Sequence, residues 1–111
     1  MESCRASREF LETSVFTERI TKLLTDSEYQ DLQTVLAEHP KAGEVIPGAS
    51  GLRKLRWKVP GRGKRGGLCI IYYCWSEHRL YMIFVYDKTP QGDLTPEQLK
   101  MLCAYVKGGV V

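Results

Sequence analysis

A chain of 111 residues and 12.7 kDa is the size of one domain and can bury roughly two-thirds of the surface its unfolded form exposes, so no metal or disulfide staple is required to hold it. Hydrophobic residues at 43% and charged residues at 26% are ordinary for a globular domain; no apolar run reaches the length of a membrane span, and the first twelve residues carry Arg5, Arg8 and three Glu where a signal peptide would be apolar. These features predict a cytoplasmic protein, and a net charge of +3 excludes a uniformly basic one.

Residues 1–11 read as a polar lead-in. Residues 13–17, Thr-Ser-Val-Phe-Thr, are rich in β-branched side chains and predict a first short strand. Ile20, Leu23 and Leu24 then recur at helical spacing, predicting a short helix over 18–24. Ser27 and Gln30 read as a capping box opening a second helix, whose apolar stripe is Tyr29, Leu32, Val35 and Leu36. That helix must stop by His39, because Pro40 disfavours helical geometry in the residue before it. Gly43, Pro47, Gly48 and Gly51 mark a loop.

Positive charge is concentrated in the middle of the chain. Residues 45–76 hold seven of the sixteen basic side chains and no Asp or Glu, whereas 1–44 hold five basic against nine acidic residues and 77–111 four of each. A strand over 53–58 would place Lys54, Arg56 and Lys58 on one face, and Arg53, Leu55 and Trp57 on the other. Five of the eight residues in 60–67 are Gly or Pro, predicting a flexible basic connection that contains Arg62, Lys64 and Arg65. Residues 68–75 are almost continuously apolar, as in a strand buried on both faces, and a tight turn at 76–78 returns the chain through a partner strand over 79–86. Thr95, Pro96 and Gln98 mark the start of a last helix, with Leu94 and Leu99 placed as a staple and Leu99, Leu102, Cys103 and Val106 as its buried stripe. Gly108 and Gly109 stop it. The reading is one α+β domain over 1–111, in the order β-α-α-β-β-β-α, with helices on one face of a mostly antiparallel four-stranded sheet.

Cys4, Cys69, Cys74 and Cys103 are scattered without a C-x-x-C or zinc-type spacing, so they read as free thiols. Cys69 and Cys74 differ by an odd number of positions, which puts them on opposite faces of their strand. His39 and His78, at a helix end and a hairpin turn, are assigned no chemistry. A basic stripe on an edge strand is commonly a solvated face that resists aggregation. Trp57 is read as core, and Tyr72, Tyr73, Tyr81 and Tyr86 chiefly as sheet-packing residues.

Taken in order, Gly-Leu-Arg-Lys-Leu-Arg at 51–56, the loop Gly63, Lys64, Arg65, Gly66 and Gly67 running into Ile70, Ile71, Tyr72 and Tyr73, then Tyr86, Asp87, Lys88 and Asp93, Leu94 resemble the HigB branch of the RelE/ParE toxins of toxin-antitoxin modules, over about 14–107. The resemblance implies a toxin that enters the ribosome and cleaves messenger RNA without a metal or other cofactor. The RNA 2′-OH would attack its own adjacent phosphate. Lys54, Arg56 and Lys88 match the basic positions around the family's cleft, with Lys54 as proton acceptor and Arg56 as stabiliser of the developing charge. Lys58, Arg62, Lys64, Arg65 and Tyr86 are suited to gripping RNA or the ribosome. The implied partner is a helix-turn-helix, HigA-like antitoxin, and the pair would bind operator DNA. Cys69 stands where many relatives carry an arginine, and restoring arginine there is expected to preserve or raise activity. The same fold also hosts ParE-like toxins that act on DNA gyrase through protein contacts, and a basic RNA-binding module is a third reading.

Overall fold

A computed structural model of the chain describes residues 9–58, 67–76, 79–87 and 94–107. Its elements are β1 (Glu9–Glu12), α1 (Ser14–Leu23), α2 (Asp26–Glu38), β2 (Glu44–Val45), β3 (Arg53–Lys58), β4 (Gly67–Ser76), β5 (Arg79–Asp87) and α3 (Pro96–Lys107). The strands form one five-stranded sheet in the order β1-β5-β4-β3-β2. β1 runs parallel to β5 and every other neighbour pair is antiparallel. The class is therefore α+β with a mixed sheet, one strand more than the sequence predicts.

Two corrections lie at the N-terminal end. Residues 13–17 are not a strand: Thr13 is the N-cap of α1, its hydroxyl accepting from the Phe16 N–H. The same residue ends the β1 ladder, since its N–H donates to the Met82 carbonyl and its hydroxyl to that of Ile83. Local β-propensity is outweighed by a cap that satisfies a helix-terminal donor and by the burial of Phe16 and Ile20, one turn apart. The first strand instead occupies Glu9–Glu12, overlapping the end of the supposed lead-in. It sends Phe10 to one core cluster and Leu11 to the other.

The cap of α2 is Thr25, two residues before the predicted Ser27. Thr25 accepts from the Glu28 N–H, and the Glu28 carboxylate accepts from the Thr25 N–H. Its end agrees with expectation, with His39 as C-cap just before Pro40. α3 carries the expected reciprocal pair: the Gln98 N–H donates to the Thr95 hydroxyl, and the Thr95 N–H to the Gln98 side-chain oxygen.

The helices cover both faces of the sheet, not one. Leu68, Ile70 and Tyr72 of β4 and Leu80, Met82 and Val85 of β5 form one cluster with Phe16, Ile20 and Leu24 from α1 and its end, and with Leu32 and Leu36 of α2. On the reverse face Cys69, Ile71, Tyr81, Ile83 and Tyr86 cluster with Leu102 of α3 and with Ala49 and Leu52 from the β2–β3 loop. A central strand apolar on both faces needs two covers. Burying each leucine or isoleucine side chain contributes about 1.5–3 kcal/mol, so neither face can be left to water. Cys69 and Cys74 fall into opposite clusters, as their spacing predicts. Cys69, Cys74 and Cys103 are free thiols.

The loop between β2 and β3 reverses the chain by successive turns, Ala49 N–H to the Ile46 carbonyl and Leu52 N–H to the Ala49 carbonyl. Gly48, Ser50 and Gly51 all have positive φ there, so the two glycines adopt it without the penalty a side chain would incur.

Candidate functional site

β3 divides its cations by alternation. Leu55 and Trp57 pack against the α1/α2 core, as expected for Trp57. Arg53 points to that same side and is a structural residue: its guanidinium donates to the Gly43 carbonyl at 2.7 Å. Lys54, Arg56 and Lys58 occupy the other face, the one covered farther along by α3, with Lys54 half-buried and Arg56 and Lys58 exposed. The pairing register carries this face across the sheet, because Arg56 lies opposite Cys69 and Cys69 opposite Tyr86. Two strand spacings separate Arg56 from Tyr86, about 10 Å.

Tyr86 is only 8% exposed and its ring lies 6.0 Å from that of Phe84, so little ring surface is left for a base to stack on. Cys69, between the two residues, is fully buried. An arginine at that position would have to place a guanidinium in the cluster that holds Ile71, Ile83 and Leu102, so overpacking and charge burial would destabilise the sheet. Lys88, Arg62, Lys64 and Arg65 lie outside the described residues.

Beside Lys54 a cleft of about 300 Å³ opens, lined by Glu44, Val45, Ile46, Pro47, Lys54, Leu94 and Leu99. One wall is β2 and the two residues after it; the other is the start of α3, held by its cap. Sequence reasoning missed Glu44. The acid-free segment begins at the very next residue, and the short β2–β3 pairing folds Glu44 back opposite Lys54. The basic face therefore has a carboxylate at its margin, which the linear charge count places outside it.

On the other face of the sheet, the segment leading into β2 is held by a hydrogen-bond node around the buried Tyr72. The Tyr72 hydroxyl donates to the Pro40 carbonyl at 2.9 Å and accepts from the Gly43 N–H at 2.8 Å, and the Cys74 thiol also donates to the Pro40 carbonyl. Burial pushes the Tyr72 phenol above its ordinary pKa, since the phenolate would be poorly solvated. With Arg53, this node fixes the segment that leads into β2.

At the opposite edge of the sheet Arg19 of α1 donates to the Val85 carbonyl at 2.7 Å and lies 4.9 Å from the Phe84 ring centroid, taking over edge bonding where β1 has ended. A second depression of about 350 Å³ there is lined by Val15, Glu18, Arg19, Lys22 and Leu23. Among the described residues no group of three or more His, Cys, Asp or Glu is placed to hold a metal ion, and no helix is long and apolar enough to cross a membrane. No protein-family model matches the chain.

Proposed function

We propose that this protein is a cytoplasmic HigB-like toxin of the RelE/ParE kind, a ribosome-dependent, metal-independent messenger-RNA endoribonuclease held inactive by a helix-turn-helix antitoxin with which it binds operator DNA. The observation that carries this reading is the pair Lys54 and Arg56 on one face of β3, beside a cleft open to solvent. In the reaction the RNA 2′-oxygen forms a bond to the adjacent phosphorus while the bond from phosphorus to the 5′-oxygen breaks, leaving a 2′,3′-cyclic phosphate and a 5′-hydroxyl. One proton leaves the 2′-OH and one is delivered to the departing oxygen. Lys54 is assigned proton transfer at the 2′-OH, and Arg56, with its planar fork of donors, the charge that grows on the phosphoryl oxygens. Lys88 is assigned to the same phosphate, and Lys58, Arg62, Lys64 and Arg65 to the RNA backbone and ribosome.

The test is induced expression followed by primer extension on a translated message. Cleavage within translated frames is expected. Arg56→Ala and Lys54→Ala should each lower the cleavage rate on the order of 100- to 1,000-fold, the usual cost of losing one preorganised charge, while remaining folded and antitoxin-bound. Intact messages with arrested replication would instead support the second reading, a gyrase-directed toxin, which the burial of Cys69 favours because the residue between Arg56 and Tyr86 carries no charge.

A further inference from the structure

We infer that the cleft between β2 and α3 is a seat for a single guanine base of the bound RNA. The inference rests on the RNA-cleaving reading and deepens it. The cleft's volume of about 300 Å³ is at the lower limit of ligand pockets, enough for one base and its ribose and too small for a longer stretch. Five of its seven lining residues are aliphatic or Pro: Val45, Ile46 and Pro47 on one wall, Leu94 and Leu99 on the other. A planar base can lie against such walls by apolar contact. Lys54 stands at one margin with Arg56 two residues farther on the same face, so the nucleotide's phosphate meets the cations when its base enters the cleft.

Glu44 decides which base. Its exposed carboxylate lies at the cleft margin, and an ionised carboxylate only accepts hydrogen bonds. Guanine alone presents two adjacent donors on its Watson–Crick edge, N1–H and the N2 amino group, which satisfy both oxygens together. Adenine and cytosine each offer one amino donor beside a ring-nitrogen acceptor that repels the second oxygen. Uracil offers one donor flanked by two acceptors. Selection for guanine thus follows from an acid placed opposite Lys54 by the β2–β3 pairing.

Titration of the full-length protein with the four ribonucleoside 5′-monophosphates and ribose 5-phosphate, followed by amide chemical shifts, tests this. Guanosine monophosphate should bind about tenfold more tightly than uridine monophosphate, a 1.4 kcal/mol difference, with shifts centred on Val45, Ile46 and Leu99. Glu44→Gln should abolish the preference without weakening ribose 5-phosphate binding. Val45→Asp, at an exposed position, should weaken all four nucleotides but spare ribose 5-phosphate. Equal affinity for the four bases, shifts away from the cleft, or a preference surviving in Glu44→Gln would overturn the inference. A protein that cleaves messages yet shows no base preference overturns this site alone; one that prefers guanosine monophosphate yet cleaves nothing on the ribosome overturns the nuclease reading and leaves the site standing.

Discussion

Tyr72→Phe removes one oxygen from the node that ties β4 to the 40–43 segment, and the structure indicates where the cost falls. The ring keeps its packing, so the cavity left is that of a single hydroxyl. The Pro40 carbonyl loses one donor but keeps the Cys74 thiol at 3.1 Å. The Gly43 N–H, buried and donating to the hydroxyl at 2.8 Å, loses its partner. Orphaning one buried donor costs about 1–3 kcal/mol, a sizeable fraction of the roughly 5–15 kcal/mol that holds a typical domain together. At about 4 °C per kcal/mol for a domain near this size, Tm should fall by roughly 4–12 °C. Urea denaturation should show a lower midpoint at unchanged slope, and amide exchange at Gly43 should accelerate more than at the core strands. A loss below about 0.5 kcal/mol with Gly43 still protected from exchange would refute the argument that this hydroxyl pins the 40–43 segment.

A methyl group at Gly43 would sit 2.9 Å from the Lys54 backbone carbonyl and 2.9 Å from the Tyr72 ring and hydroxyl. Since the first of these is backbone, Gly43→Ala should lower stability by about 1–3 kcal/mol in thermal unfolding and disturb the cleft wall. Tyr29 and Tyr72 are both raised above their ordinary value of 10.0, chiefly by burial, with Tyr29 raised further by its bond to Glu12. A raised folded-state value means the neutral phenol is favoured in the native protein, so its contribution is fully present below pH 10 and is lost as pH rises beyond it. Urea midpoints measured from pH 8 to 11 should fall above about pH 10, and less steeply in Tyr29→Phe; a parallel pH curve for that variant would contradict this. Cys69→Arg should unfold at lower temperature than Cys69→Ser, measured by circular dichroism, because only the arginine adds both bulk and charge to a fully buried site.

What could be read along the chain was whatever is decided by neighbours in sequence. Strand alternation alone places Lys54, Arg56 and Lys58 together, the Thr95–Gln98 pair begins α3, and Pro40 ends α2, because each depends on side chains a few residues apart. The continuous apolar run of β4 also announces a strand buried on both sides. Only the tertiary structure decides which segments supply the two covers: α1 and α2 on one face, α3 with Ala49 and Leu52 on the other. It likewise makes Thr13 a cap and 14–17 the start of a helix, since the carbonyls that receive Thr13 belong to Met82 and Ile83, about seventy positions away. Pairing of β1 with β5 in parallel leaves no hairpin signature in the sequence, because the connection contains most of the fold. The site divides the same way: the cations are legible from period-two spacing, whereas the acid at their margin depends on a two-residue strand folding back, so that Glu44, one position outside the acid-free segment, faces Lys54 in space.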